Sequence, residues 1–135
     1  MDGVFTFTRH AKVIPMRLRW LLGTLVLALI MLGIHLVALE NYLYWYYRWL
    51  DTPMHILGGA MMGAAIVGVF QKFRPYTYLL IIALGAVGWE LFEYYFGIST
   101  GQSRYVWDTL HDILNDVFGA VAVYVLARFT IWRSR

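Results

Sequence analysis

The sequence predicts an all-α protein that crosses a membrane four times. Hydrophobic residues make up 61% of the 135 residues and charged residues only 14%, which is typical of integral membrane proteins. The apolar residues fall into four segments, at about 20–39, 53–70, 76–96 and 108–132, and a helix of about 20 residues spans a bilayer. We therefore expect residues 1–135 to form a single membrane domain, a small helical bundle.

The first apolar segment begins at Trp20, directly after several basic residues, as a signal peptide would. A signal peptide has an apolar core of about 7–15 residues and a small-residue cleavage site. This segment is longer and ends in bulky residues. We therefore expect it to remain in the protein as a transmembrane helix.

Small residues are frequent in the second apolar segment, where Gly59 and Gly63 lie four positions apart. Small residues at this spacing let transmembrane helices approach each other closely. Asp51 or Thr52 is the predicted N-cap, and Pro53 falls in the first turn, where its missing N–H does no harm. The second span is therefore expected to pack tightly against a neighbouring helix.

The basic residues predict the orientation of the chain. Nine of the eleven Lys and Arg residues precede the first span, separate the second from the third, or lie near the C-terminus, and only Arg48 and Arg104 fall elsewhere. Cytoplasmic loops are enriched in Lys and Arg. We therefore expect a multi-pass protein of the cell membrane with the N-terminus and the C-terminus in the cytoplasm. The net charge of +3 follows from this bias and requires no nucleic-acid partner.

Residues 41–50, NYLYWYYRWL, form an aromatic segment between the first two spans. Tyr and Trp are enriched where a membrane meets water, so we expect this segment to lie in the external interface. An alternative is that it covers the polar groups described next, or docks a lipid headgroup.

Polar residues concentrate at the external end of three spans. His55 lies in the first turn of the second span, and Glu90 and Glu93 share one face near the end of the third. The stretch DTLHDILND opens the fourth span, and its polar positions also share one face. These positions are Asp108, His111, Asp112, Asn115 and Asp116. We expect the three polar faces to meet inside the bundle.

This polar cluster predicts a metal site. Ionisable residues inside a membrane mark functional sites by default, and carboxylates crowded together repel one another unless a cation compensates. The chain has no cysteine, and a set of Asp, Glu and His ligands suits zinc, manganese, magnesium or non-haem iron. The predicted ligands are His55, Glu90, Glu93, His111, Asp112 and Asp116.

Structural roles are the alternative for each of these residues. Asp108 can serve as the N-cap of the fourth span, and Glu93 can reach the interface and be solvated. His35, alone on the first span, is more simply explained by a hydrogen bond than by metal ligation. The remaining polar groups can form a buried hydrogen-bond network that fixes the helix packing.

Three stretches, HILGGAMMGA, WELFEYYFG and DTLHDILNDVFGA, together resemble the small bacterial membrane proteins of the YjdF-like group, with a more distant likeness to VanZ-like proteins. The resemblance covers about residues 51–127. The matching polar elements are His55, Glu90, Glu93, Asp108, Asp112, Asn115 and Asp116, followed by Gly119 and Ala120. The resemblance implies a polytopic membrane protein and, for the VanZ-like relatives, a link to glycopeptide resistance at the cell envelope, but no established reaction. His111 is not carried over by it.

The chemistry expected of a metal site at the membrane surface is hydrolysis. A metal-bound water, with a carboxylate as general base, can cleave a phosphoester or another bond in a lipid or lipid-linked headgroup that enters from the bilayer. Glu90 and Asp112 are the predicted catalytic residues. The predicted substrate contacts are Arg48, Arg104, Asp108 and Asn115.

Two other classes of function remain open at this stage. A proton- or cation-coupled transporter subunit would use the same titratable residues, although four helices are few for a pathway and a continuous relay would need a homodimer or water. The third class is a non-catalytic protein that binds membrane lipid or has a purely structural role. Metal content separates the hydrolase from the other two classes.

Overall fold

The computed structural model describes residues 15–70, 72–97 and 105–132, and these residues form a helical bundle without strands. Four long helices account for most of them. The helices are α1 (Met16–Glu40), α2 (Leu43–Tyr46), α3 (Asp51–Val69), α4 (Pro75–Phe96) and α5 (Tyr105–Phe129), and a short 3₁₀ turn, Arg48–Leu50, leads into α3. The predicted all-α class is confirmed.

Four segments of the described chain are long and apolar enough to cross a membrane, namely Met16–Glu40, Arg48–Val69, Pro75–Phe96 and Val106–Phe129. Large apolar side chains point away from the bundle on all of them. Leu29 on α1 is 60% exposed and Phe118 on α5 is 66% exposed. Extended apolar surfaces on helices of this length are typical of contact with lipid, so the protein is a multi-pass membrane protein.

The ends of two helices differ from the expected positions. α3 starts at Asp51 because the preceding 3₁₀ turn runs straight into it, and its N-cap is Leu50, which makes no side-chain cap. Neither Asp51 nor Thr52 is the N-cap. α5 starts at Tyr105, three residues before Asp108, so Asp108 is not an N-cap either. Both Asp side chains are therefore left to face other groups.

α3 and α5 cross in direct backbone contact. A Cβ atom added to Gly59 would collide with the backbone carbonyl of Asp116, and one added to Gly119 would collide with the backbone carbonyl of Ile56. Each helix thus presents a glycine to the other helix's backbone. This close approach places the polar first turns of the two helices side by side.

We expect Gly59→Ala to lower the stability of the protein by about 1–3 kcal/mol, because the added methyl group forces two backbones apart. Thermal unfolding of the detergent-solubilised protein measures the change. Gly23→Ala is the matched control, since no heavy atom lies within 4 Å of its added Cβ and alanine favours a helix over glycine. Equal melting temperatures for the two variants would contradict the crossing.

The two ends of the bundle differ in character. At the end where α4 begins and α5 finishes, Tyr78, Val67 and Ile82 are fully buried in an apolar core. Within it, the Tyr78 hydroxyl donates a hydrogen bond to the Ala120 carbonyl at 2.7 Å. At the opposite end, where α3 and α5 begin and α4 finishes, the interior is polar. We call this the polar end.

Candidate metal centre

A large cavity opens at the polar end. It has a volume of about 1510 Å³ and is lined by all four long helices and by the segment between α1 and α3. The cavity therefore lies inside the membrane-spanning part of the protein, where polar groups need partners.

The imidazole of His55 lies at the centre of the polar end, and the residue is only 5% exposed. Its Nδ1 atom lies 3.1 Å from Oδ2 of Asp116. A carboxylate can only accept hydrogen bonds, so Nδ1 carries the proton of this contact, and in the neutral imidazole Nε2 has the lone pair that a metal ion needs. The Asp116 carboxylate thus fixes both the tautomer and the direction of the ring, as carboxylates do behind metal-binding histidines.

The Nε2 atom of His55 faces three further carboxylates. It lies 3.6 Å from Oδ1 of Asp51, 3.8 Å from Oδ1 of Asp112 and 4.0 Å from Oε1 of Glu90. Glu90 and Asp112 are 4% and 6% exposed, and Asp51 is half-buried. Four carboxylates therefore surround one imidazole in a region of low dielectric, where they repel one another strongly.

Asp51, His55 and Asp112 are spaced to hold a metal ion. Each offers one ligand atom, and these atoms all lie within 4.8 Å of one another. Zinc ligands lie about 2.0–2.2 Å from the ion, so ligand atoms on opposite sides of it are up to about 4.4 Å apart. The 3.6 and 3.8 Å separations from His55 fall within this limit. The third separation, between the Asp51 and Asp112 oxygens, is no more than 4.8 Å, so the three residues could hold an ion after small side-chain adjustments.

Two buried oxygen atoms beside this group lack a hydrogen-bond partner among the described residues. They are Oε1 of Glu90 and Oγ1 of Thr109, and both residues line the cavity. An unpaired buried polar atom costs about 1–3 kcal/mol, and more when it is charged. The Thr109 hydroxyl interacts with the Glu90 carboxylate without a regular hydrogen bond, and a cation or a water in the cavity would complete the pairing of both oxygens.

The structure places the other predicted site residues farther from His55. Glu93 is half-buried at the cavity wall, where its Oε1 accepts a 2.8 Å hydrogen bond from the indole of Trp89. Asp108 is half-buried and also lines the cavity, whereas His111 and Arg48 are exposed at its edge. Asn115 is half-buried outside the lining residues. Arg104 lies outside the described residues.

Asp51 is the candidate ligand that sequence reasoning missed. The residue was expected to cap a helix, but it lies inside the first turn of α3. The signal was present, because Asp51 and His55 are four positions apart and therefore share a helical face. Asp116, in contrast, was expected to bind metal, and it contacts the far side of the imidazole instead.

The aromatic segment between α1 and α3 is tied to the cavity wall. The Tyr44 hydroxyl and Nδ1 of His35 lie 2.9 Å apart, so His35 makes the hydrogen bond expected of it. Burial, together with the carboxylates of Asp51 and Glu93, raises the pKa of Tyr44 to about 12. The hydroxyl therefore keeps its proton at neutral pH and fastens the segment to α1.

We expect Asp116→Asn to weaken metal binding by about 10–100-fold without abolishing it, because the amide no longer fixes the His55 tautomer. Titration calorimetry with Zn²⁺ on the purified protein measures the change. Asp108→Asn is the control, as it removes a cavity carboxylate that makes no ion pair with His55 in the described structure. An unchanged affinity in Asp116→Asn would contradict the orienting role.

The comparisons with known proteins place the chain in a family. Residues 3–133 match the model of a family described as "Predicted membrane protein (DUF2238)". Since the match covers almost the whole sequence, the chain belongs to this family. Neither the curated proteins nor the solved structures gave a match. The match agrees with the membrane class, and it carries neither the YjdF-like nor the VanZ-like name.

Proposed function

We propose that this member of the DUF2238 family is a divalent-metal-dependent hydrolase that acts on a lipid or lipid-linked headgroup. The observation that carries the proposal is the group of Asp51, His55 and Asp112, with ligand atoms within 4.8 Å of one another, at the base of a 1510 Å³ cavity. A cavity between membrane-spanning helices could admit a lipid substrate from the bilayer.

The ligand set favours some metals over others. One imidazole with carboxylate oxygens is a mixed nitrogen and oxygen set, which suits Zn²⁺ or Mn²⁺. Non-haem iron oxygenases use two histidines and one carboxylate, and a second histidine is missing from the group around Asp51 and Asp112. Bound here, such an ion would polarise a headgroup oxygen and make bound water acidic.

The residues of the chain supply the rest of the chemistry. Glu90 is placed to act as general base, because its buried Oε1 makes no regular hydrogen bond to the described residues and faces Nε2 of His55 at 4.0 Å. It would take a proton from the attacking water and return it to the leaving oxygen, so that one bond to the headgroup breaks as the water oxygen bonds to carbon or phosphorus. Asp112 would act as a metal ligand and so hold the ion beside the reacting groups.

Hydrolysis can be tested in proteoliposomes of phosphatidylethanolamine and phosphatidylglycerol. Mass spectrometry of the lipid extract identifies lysolipid, diacylglycerol or a free headgroup. We expect such a product from protein loaded with Zn²⁺ or Mn²⁺, and none after chelation. If metal-loaded protein forms no product, or if chelated protein forms as much, the hydrolase proposal is wrong.

A transporter has less support from the fold. The end of the bundle opposite the cavity is filled by Tyr78, Val67 and Ile82, which are all fully buried. Proton relays and ion pathways need polar side chains or water along their whole length. A homodimeric transporter would therefore have to form its pathway outside the packed core of each bundle.

The proposed orientation puts the polar end outside and both termini in the cytoplasm. It is supported by Arg19, Lys72, Arg74 and Arg128, which all lie at the opposite end of the long helices, since basic residues are retained in the cytoplasm. The cavity would then receive its substrate from the outer leaflet.

The chain has no cysteine, so single cysteines report this orientation directly. We expect a membrane-impermeant maleimide to label Tyr46→Cys in intact cells, because Tyr46 is 77% exposed beside the polar end. Lys72→Cys, which is exposed at the opposite end, should react only after lysis. The reverse pattern would invert the topology and place the cavity in the inner leaflet.

A further inference from the structure

We infer that the cavity selects amphiphiles whose headgroup carries an ammonium group and discriminates against anionic headgroups. This inference rests on the proposed function, because it names the substrate class of the same cavity. It draws on the charge of the whole cavity wall and on aromatic and apolar residues that the metal group does not use.

The charge of the cavity wall favours a cationic ligand. Six carboxylates line the cavity, and Arg48 is the only Arg or Lys residue among the described lining residues. The carboxylates are those of Asp51, Glu90, Glu93, Asp108, Asp112 and Asp116. Together with Arg48, a divalent ion would balance three of the six charges that fully ionised carboxylates would carry. The field in the cavity therefore attracts cations and repels a purely anionic headgroup.

Aromatic side chains form the cavity wall beside Glu93. The Trp89 indole donates its N–H to Glu93 at 2.8 Å and stacks on Phe92 with ring centroids 5.4 Å apart. Tyr44 lies on the neighbouring wall, where its hydroxyl contacts His35. A fixed indole face next to a carboxylate is the combination that recognises alkylammonium groups, through cation–π attraction and charge.

The size and the lining of the cavity suit a ligand larger than a metal ion. A metal ion occupies a small part of a 1510 Å³ cavity. Glu90, which is 4% exposed, lines the cavity with an oxygen that makes no regular hydrogen bond to the described residues. Four methionines also line the cavity, namely Met31, Met54, Met61 and Met62. Methionine side chains adapt to irregular apolar ligands. The cavity can therefore accept an apolar chain together with its headgroup.

The geometry assigns a position to each part of the ligand. The ammonium group lies against Trp89 and Glu93, the scissile bond lies near His55, and the apolar chain runs along the methionines of α1 and α3. Phosphatidylethanolamine has an ammonium group, a phosphodiester and apolar chains. Phosphatidylglycerol has the same phosphodiester and chains but no amine.

The test is competitive lipid binding to chelated, metal-free protein. Purified protein is incubated with an equimolar mixture of phosphatidylethanolamine and phosphatidylglycerol that have identical acyl chains, and native mass spectrometry counts the lipid that remains bound. We expect phosphatidylethanolamine to be preferred by about fivefold, which is the scale of a cation–π contact. Equal retention of the two lipids, or a preference for phosphatidylglycerol, would overturn the inference.

Matched variants locate the preference. Trp89→Leu should remove the cation–π part of the preference and leave the part that comes from the cavity charge, whereas Trp89→Phe should retain more of it, because phenylalanine keeps an aromatic face. Glu40→Gln is the charge control, since Glu40 is exposed and is not among the lining residues of the cavity. A preference that is undiminished in Trp89→Leu would contradict the role of the aromatic wall.

This experiment is separable from the test of hydrolysis. Selective binding without any turnover would support the inferred lipid preference and contradict the proposed hydrolase activity. Turnover of both lipids at equal rates, with equal binding, would support the proposed hydrolase activity and contradict the inferred lipid preference.

Discussion

His55→Ala is expected to lower the affinity for divalent metal by more than about 100-fold, since even the outer partners of metal ligands are worth about 10–100-fold. His55 is the residue that joins the site, because its two ring nitrogens face four carboxylates on three helices. Without it, Asp51 and Asp112 lose the nitrogen ligand between them. Titration calorimetry with Zn²⁺ and Mn²⁺ measures the loss.

His111→Ala is the matched control for that experiment. His111 is on the same stretch of α5 but is exposed at the cavity edge, so its removal should leave metal affinity unchanged. A variant at His55 that binds metal as tightly as the wild type would place the site elsewhere. Loss of metal binding in His111→Ala would indicate that His111 is a metal ligand, as the sequence predicts.

Glu90→Gln is expected to reduce hydrolysis by about 10²–10⁴-fold, the usual contribution of a general base. Metal binding should persist, because Glu90 is outside the group whose ligand atoms lie within 4.8 Å of one another. The glutamine has nearly the same shape as the glutamate but cannot accept the proton from water. Product formation by the metal-loaded variant, followed by mass spectrometry, gives the rate.

The assignment of Glu90 depends on a split between two measurements. Retained metal with lost turnover identifies a base, whereas loss of both identifies a ligand. Glu40→Gln, on the exposed end of α1, should change neither. A fully active Glu90→Gln variant would contradict the proposed chemistry.

The helices were predictable because lipid demands long apolar runs, and such runs are visible in the sequence. The polar face of α5 was predictable for a related reason. Polar residues at i, i+4 and i+8 in an apolar helix cannot face lipid, so Asp108, Asp112 and Asp116 had to turn inward. The structure has Asp112 and Asp116 buried and Asp108 half-buried.

The roles within the cluster were not predictable from spacing. Periodicity gives a face, but the crossing of α3 and α5 at Gly59 and Gly119 decides which side of the imidazole each carboxylate meets. Asp116 therefore lies behind His55, although it belongs to the same face as Asp112. Asp51 was missed because a helix start predicted from Pro53 placed it outside the helix.

His111 shows a limit of the same reasoning. Positions i+3 and i+4 flank the centre of a helical face on opposite sides, and only tertiary contacts decide which of them turns inward. Here Asp112 is 6% exposed, whereas His111 is exposed. The partner of the small-residue face of α3 was likewise set by the fold, since the sequence predicts close approach without naming the helix that approaches.

The central claim is that Asp51, His55 and Asp112 bind a divalent metal ion inside the membrane. Elemental mass spectrometry of the detergent-purified protein, beside Asp112→Asn and the control Glu40→Gln, tests it most directly. The account predicts close to one Zn²⁺ or Mn²⁺ per chain in the wild type and in Glu40→Gln, and its loss in Asp112→Asn. A wild-type protein that holds no metal, even after incubation with Zn²⁺, Mn²⁺ and Mg²⁺, would contradict it and leave the cluster as a buried hydrogen-bond network.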